Sequence, residues 1–156
     1  MDILSPKGME TLQQEREAVD MFCRLYSCYS YVHTPKDQPC SVDGFLVRES
    51  AVHATVEVKC RMMTLDEFTG RFQSRWLITH AKLERAAEIA GILCTPLIGF
   101  LYLVPSKTLL FRKLWHDGGF CVDMDVAETV TQKTVNGGVV KRLNAFVDMK
   151  DARRIT

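Results

Sequence analysis

The sequence predicts a single α/β or α+β domain with the element order helix, three strands, helix, two strands and a C-terminal β-hairpin. Three features indicate this class: helical periodicity near the N-terminus, β-rich runs in the middle, and a hairpin signal near the end. The 156 residues can bury one core but hardly two, and no repeat or long linker divides them. We expect one domain over 1–156, with a core over about 9–115 and a hairpin extension over about 127–156.

The first helix is predicted over 9–28, where apolar residues recur at spacings of three, four and seven. These residues are Leu12, Val19, Phe22 and Tyr26. At 100° per residue, Glu15 falls on the same apolar stripe, whereas Glu17 falls to its side. A carboxylate on an apolar stripe needs a partner. Glu15 is therefore a candidate to serve a site, directly or through a neighbour, with Glu17 as its rival.

Three β-type runs follow the helix, over 29–33, 41–48 and 52–62. The polar loop between the first two carries Pro35 and Pro39, which forbid a helix there. The connection RESA between the second and third runs is short enough for a hairpin, so these strands are expected to be antiparallel neighbours.

The second half begins with Thr64 and Glu67, which form a capping-box pattern for a helical turn. A helix is predicted over about 74–90, ending at Gly91. The segment PLIGFLYLVP predicts a central strand, and TLLFRKLW predicts its neighbour. From 127 onward, two β-type runs flank Asn136-Gly137, a strong two-residue turn signal that predicts the hairpin.

Composition excludes several classes of protein. The 20 Lys and Arg against 19 Asp and Glu give a net charge of 20 − 19 = +1, so a polyanion would have to bind through a local patch. The six cysteines form no CxxC pair, which argues against a zinc site or a disulfide framework. The N-terminus becomes charged too early for a signal peptide, and the longest apolar run, about 13 residues over 92–104, is too short to span a membrane. We expect a cytoplasmic protein without a membrane partner or an organic cofactor.

Charged residues stand where strands should be apolar. In the third run, alternation places Thr55, Glu57 and Lys59 on one face. Asp43 lies early in the neighbouring strand, and Gly44 after it allows another backbone or a ligand to approach closely. The step from 43 to 57 spans one strand, a turn and one strand back, so a hairpin would bring Asp43 close to Glu57 and Lys59.

Two carboxylates and a lysine at one sheet edge suit metal-assisted hydrolysis of a phosphodiester. Mg²⁺ takes one or two carboxylates and keeps its remaining positions for water and substrate phosphate. A bound ion activates a water nucleophile and neutralises charge on the phosphate. Asp43 and Glu57 are the predicted ligands of Mg²⁺, or of Mn²⁺ as a substitute, with the Val58 carbonyl as a further ligand. Lys59 would lie beside the attacking water.

A helix with an inward Glu, a strand with Asp, and a hairpin to a Glu-x-Lys strand resemble the core of the PD-(D/E)XK nuclease superfamily, over roughly 12–115. The resemblance implies a restriction-endonuclease-like core, a mixed central sheet flanked by helices in the order αβββαββ. In that family the Asp and Glu bind divalent ions and the Lys assists the water, which corresponds to Asp43, Glu57 and Lys59. The family's proline before the aspartate is absent, since Val42 stands there.

Basic and polar residues elsewhere are candidates for substrate binding. Those on the predicted second helix are Gln73, Arg75 and Lys82, and those on the hairpin are Lys141 and Arg142. The hairpin could contact DNA or serve as a dimer arm.

The sequence thus predicts a Mg²⁺-dependent, structure-directed DNA endonuclease of recombination or repair. It resembles small phage or bacterial nucleases of the Holliday-junction-resolvase type, which implies a homodimer in a bacterial or phage-infected cell. One alternative is an exonuclease with the same chemistry. The other is a non-catalytic nucleic-acid or protein-binding module, in which Asp43, Glu57 and Lys59 form a surface ion-pair group.

Overall fold

The computed structural model describes residues 5–133 and 138–156. Its helices are α1 (Pro6–Leu25), α2 (Leu65–Thr69) and α3 (His80–Ile92). Its strands are β1 (Ser30–His33), β2 (Gly44–Arg48), β3 (Ala51–Arg61), β4 (Arg75–Thr79), β5 (Leu97–Leu103), β6 (Thr108–His116), β7 (Gly119–Phe120), β8 (Met124–Lys133), β9 (Val139–Asp148) and β10 (Arg153–Ile155). None of the helices in the described parts of the chain is long and apolar enough to cross a membrane.

A mixed central sheet forms the body of the fold, with strand order β1-β2-β3-β5-β6-β10 and β7 paired to β6. Strands β3 and β5 are parallel, and the other neighbours are antiparallel. Apolar residues of α1, among them Val19 and Phe22, pack on one face of this sheet. Helix α3 and a smaller sheet cover the other face. The predicted fold class, a mixed sheet flanked by helices, is confirmed.

Two local predictions are confirmed in detail. Strands β2 and β3 form an antiparallel hairpin, and Glu49 and Ser50 at its turn have positive φ angles of 51° and 63°. A two-residue turn with both φ angles positive matches the twist of the strands that it joins. At the start of α2, the Thr64 hydroxyl accepts the Glu67 N–H at 3.1 Å, and the Glu67 carboxylate accepts the Thr64 N–H at 2.8 Å.

The predicted helix over 74–90 is wrong in its first third. Gln73 and Ser74 have positive φ angles of 51° and 57°, which a helix does not allow. The residues that follow form β4, in which Trp76 and Ile78 are buried in alternation. This strand pairs with β9, far along the chain, so its partner was not visible locally. Lys82 lies on a helix as predicted, whereas Arg75 lies on a strand and Gln73 on the turn before it.

The predicted C-terminal hairpin is confirmed, but the part of it nearest the core pairs with another strand and does not project freely. Strands β8 and β9 pair with each other, and β9 also pairs with β4 to make a three-stranded sheet. Ala145 and Val147 of β9 therefore join the core beneath α3. The predicted turn at Asn136-Gly137 lies outside the described residues. Strand β10, which extends the edge of the central sheet beside β6, was not predicted.

Gly99 in β5 tests how tightly the two layers pack. A Cβ atom there would lie 2.5 Å from the Trp76 ring and 2.8 Å from a Leu114 methyl group. Because Trp76 is only 1% exposed, its ring cannot move aside without opening the core. We expect Gly99→Ala to lower the free energy of unfolding by about 1–3 kcal/mol in urea denaturation. Gly119→Ala, where a Cβ atom meets nothing within 4 Å, is the control. Equal stability of the two variants would contradict this packing.

Candidate active site

Asp43 closes the edge of β3 at the point where β2 begins. Its backbone N–H donates to the Val56 carbonyl at 3.1 Å, which ends the β2–β3 ladder. Its side-chain Oδ2 accepts the Val58 N–H at 2.7 Å, a group that β2 leaves without a strand partner. A buried backbone N–H must find such a partner. The carboxyl is thereby held rigidly, with Oδ1 directed towards two lysines.

Gly44 permits a close approach, but the approaching group is the Tyr31 side-chain ring rather than the backbone or ligand that was predicted. Any Cβ atom at this position would overlap the ring, which comes from the neighbouring strand β1. Burial raises the pKa of Tyr31, and the Asp43 carboxylate raises it further. The hydroxyl therefore stays protonated beside the acidic cluster.

Glu57 lies in the middle of the central sheet and has no exposed surface. Its Oε1 is 2.8 Å from Lys82 Nζ and 3.2 Å from Lys59 Nζ. These contacts are ion pairs rather than well-aligned hydrogen bonds, and the buried Oε2 has no hydrogen-bond partner among the described residues. A buried carboxylate oxygen without a partner is costly, so Oε2 marks a place where a cation would be stabilised.

The Lys82 ammonium group lies near the carboxyls of both Asp43 and Glu57. Its Nζ, on the first turns of α3, lies 2.8 Å from Glu57 Oε1 and 4.0 Å from Asp43 Oδ1. Both carboxyls therefore flank one cationic group. Two carboxylates on either side of one cation are also the kind of oxygen ligands that Mg²⁺ takes.

Glu15 reaches the cluster through a residue that sequence reasoning missed. Lys36 Nζ lies 3.3 Å from Glu15 Oε2 and 3.5 Å from Asp43 Oδ1, so one lysine bridges the two carboxylates. Lys36 belongs to the polar loop over 34–39, and its only signal in the sequence was its place in the loop that leads to Asp43, seven positions before it. Glu17 instead accepts a hydrogen bond from the Tyr102 hydroxyl at 3.1 Å.

The donor set fits a magnesium ion held by few protein ligands. Within 5–133 and 138–156, no group of three or more His, Cys, Asp and Glu side chains is arranged to hold a metal. Mg²⁺ commonly binds through one or two carboxylates, which Asp43 and Glu57 can supply. The N–H and C=O of one strand residue point to the same side, so the Val58 carbonyl faces the Asp43 edge. Glu15 fits a positioning role through Lys36 better than that of a further ligand.

The surroundings of Asp43 and Glu57 shift the pKa values of these two carboxyls in opposite directions. Burial, and then the nearby Asp43 charge, raise the pKa of Glu57 to about 7. Burial also acts to raise the pKa of Asp43, but Lys82, Lys59 and the Val58 N–H outweigh it and lower the pKa. Burial and Asp43 raise the pKa of Glu15 as well. Asp43 therefore carries a fixed negative charge, while Glu57 titrates near neutrality.

An open cleft of about 310 Å³ leads to this cluster. Its ionic lining consists of Glu15, Lys36, Asp43, Lys59 and Lys82. Gln73 and Arg75 do not line this cleft and instead line a second pocket. Lys141 and Arg142 are exposed on β9, on opposite faces of the hairpin.

Comparison with known proteins identifies a structural relative. The chain is similar to Hjc, a Holliday junction resolvase from the archaeal hyperthermophile Archaeoglobus fulgidus, with a TM-score of 0.50 and 14% sequence identity. The similarity covers 86% of this chain and 92% of that chain. No protein-family model matches the sequence, and no curated protein matches it. At this identity the likeness shows the fold alone, a resolvase-like and restriction-endonuclease-like arrangement.

The acidity of Glu57 can be measured directly in the metal-free protein. We expect its carboxyl carbon to titrate near pH 7 in an NMR experiment. Asp43→Asn removes a repelling charge and should lower this pKa, whereas Lys82→Met removes an attracting one and should raise it.

The raised pKa of Glu57 also predicts how the free energy of unfolding changes with pH. Between about pH 4.5 and pH 7 the folded chain keeps a proton on Glu57 that the unfolded chain has lost. This group therefore makes the free energy of unfolding fall as pH rises through that window. A Glu57 titration near pH 4.5, unmoved by either substitution, would contradict the buried cluster.

Proposed function

We propose that this protein is a Mg²⁺-dependent nuclease that hydrolyses DNA phosphodiester bonds, acting as an endonuclease on branched DNA in recombination or repair. One observation carries the proposal: the buried Glu57 and the rigidly held Asp43 flank one cationic position, with Lys59 beside them at an open cleft. The fold shared with a Holliday junction resolvase supports the choice of a branched substrate.

Each residue of the proposed site would have a separate role in hydrolysis. Asp43 and Glu57 would hold Mg²⁺, which when bound supplies a Lewis acid that activates water and offsets charge on the scissile phosphate. Lys59 Nζ lies 3.2 Å from Glu57 Oε1, where it can donate a hydrogen bond to the attacking water and orient it. Lys36 holds Asp43 and Glu15 in place from the opposite side.

Local charge explains how a nearly neutral chain would bind DNA. Lys36, Lys59 and Lys82 converge on one cleft although the net charge is only +1. Their ammonium groups can contact phosphates on either side of the scissile bond. Binding through such contacts weakens as salt concentration rises.

A homodimer completes the proposal, because cutting both strands of a branch requires two active sites. The outer part of the hairpin exposes Val126, Val130 and Leu143 on one face, at 44%, 55% and 49%, with Lys141 opposite Val130 and Glu128 opposite Leu143. That face continues the side of β9 whose Ala145 and Val147 are buried in the core. A second copy of the chain would cover these three apolar side chains and bring Lys141 and Glu128 of the two copies close together.

Substitution of the proposed site tests the reaction. We expect Asp43→Asn, Glu57→Gln and Lys59→Met each to reduce cleavage of a labelled four-way junction by at least about 100-fold, since each removes a ligand or a group acting on the water. Cleavage should require Mg²⁺ or Mn²⁺ and stop with EDTA. The rate is measured on linear, nicked, flapped and four-way DNA.

Two exposed residues provide matched controls for these variants. Glu88→Gln on α3 and Lys113→Met on β6 should leave the rate unchanged. Cleavage proceeding only from DNA ends would favour an exonuclease. Full activity in all three site variants would overturn the proposed site, and DNA binding without cleavage of any substrate would favour a non-catalytic module.

Metal binding can be detected without activity through Lys82. Its ammonium group lies between the two proposed ligands, so it competes with Mg²⁺ for them. We expect Lys82→Met to lower the melting temperature in EDTA, because Asp43 and the buried Glu57 then lose a shared ion-pair partner. Added Mg²⁺ should raise its melting temperature more than that of the wild type. Equal shifts in Lys82→Met, Lys113→Met and the wild type would place the metal elsewhere.

A further inference from the structure

A second pocket, of about 360 Å³, lies beyond Lys59 along the same side of β3. Strand alternation places Glu57, Lys59 and Arg61 on one face, so Arg61 is the next cationic residue after the proposed active site. The pocket lies between Arg61, the α2–β4 turn and β9. Its aromatic lining consists of Phe68, Phe72, Trp76 and Phe146, and its cationic lining of Arg61, Arg71 and Arg75.

The aromatic lining offers an apolar surface on which a planar group can stack. Phe68 is buried, whereas Phe72 keeps 39% of its surface exposed. Trp76 also lines the pocket but is only 1% exposed, so Phe72 presents the accessible ring. Such a site suits a planar ligand that stacks on an aromatic ring.

The three arginines that line the pocket have few carboxylate partners among the described residues. The half-buried Arg61 guanidinium donates to the Cys60 and Leu77 carbonyls, both at 3.2 Å, and pairs with no carboxylate among the described residues. The Arg71 guanidinium lies 5.3 Å from the centre of the Phe72 ring. Among the described residues, the one carboxylate that pairs with Arg75 is that of the exposed Asp125, at 3.5 Å. A partly desolvated guanidinium without a counter-charge favours an anionic ligand.

A third cavity along the open edge of β3 borders both the proposed active-site cleft and the pocket. This cavity is a groove of about 440 Å³ that runs between α1 and the end of β3. Lys59 lines both the active-site cleft and this groove, and Arg61 lines both the groove and the pocket. The two residues are two positions apart on a strand, roughly 6.6 Å. A single nucleic-acid strand in the cleft can therefore reach the pocket within a few nucleotides.

We propose that this pocket receives one unstacked nucleobase of the DNA strand that lies in the cleft. The base would stack on Phe72, and the arginines would contact its phosphates. This inference rests on the proposed function and narrows its substrate to DNA with an unpaired nucleotide next to the cleaved bond. A fully paired strand would first have to give up its own stacking and pairing, whereas an opened branch, flap or bulge presents the base directly.

An abasic substitution tests the pocket by binding in EDTA, where no cleavage occurs. The probes are a duplex with one unpaired nucleotide, the same duplex with that nucleotide abasic, and a fully paired duplex, all measured by fluorescence anisotropy. We expect the wild type to bind the first about tenfold more tightly than the second, the scale of one base–aromatic stack. Phe72→Ala should abolish this difference.

Phe120→Ala is the matched control, since Phe120 on β7 is 40% exposed but lies outside the pocket. This variant should keep the tenfold preference. Arg71→Gln gives an independent readout if Phe72→Ala fails to fold. Loss of one phosphate contact to a single strand should reduce the slope of log affinity against log salt by about 0.7.

The outcomes separate this inference from the proposed function. If the wild type binds the unpaired-nucleotide duplex and the abasic duplex with equal affinity, the inference about the pocket is overturned, even if the protein cleaves junctions. A preference that depends on Phe72 would support the pocket even if no DNA is cleaved. Unchanged DNA binding with loss of self-association in Phe72→Ala would instead assign the pocket to a protein interface and overturn the inference.

Discussion

The proposed active site depends on the fact that β3 continues beyond the end of β2. The β2–β3 ladder ends at Gly44 and Val56, and among the described strands residues 57–61 of β3 pair with β5 alone. Along this open edge, backbone groups must find partners other than a strand. Asp43 supplies one of them by accepting the Val58 N–H. The carboxylate proposed as a metal ligand is thus also the side chain that caps this edge of the sheet.

The same edge explains why so many charges meet at one place. Glu57 is fully buried, and its negative charge is offset by Lys82 from α3 and by Lys59 from its own strand. Removing one partner from such a buried pair leaves an uncompensated charge, which is strongly destabilising. Lys36 links Asp43 to Glu15 on α1 from the other side of the sheet. The charges are therefore interdependent, and the site combines structural and chemical roles.

The structure also changes the interpretation of the small sheet. The sequence favoured a helix over 74–90 because apolar residues there can be fitted to either period. The segment RWLIT instead alternates, with Trp76 and Ile78 buried against the central sheet. This strand separates Gln73 and Arg75 from Lys82 and directs them to different places. It also creates the aromatic pocket beside Arg61, since β4 and β9 supply part of its wall.

The sequence by itself determined the elements whose signals are local: α1, the β2–β3 hairpin, the capped α2 turn, the β5 and β6 strands and the pairing of β8 with β9. It also singled out Asp43, Glu57 and Lys59, because strand alternation and a short hairpin restrict where those side chains lie. Only the tertiary structure decided that β4 is a strand, that β10 completes the sheet, and that Lys36 and Lys82 join the carboxylates. These features depend on partners distant along the chain, and local propensity carries no information about which distant segment will pair or which lysine will approach a buried charge.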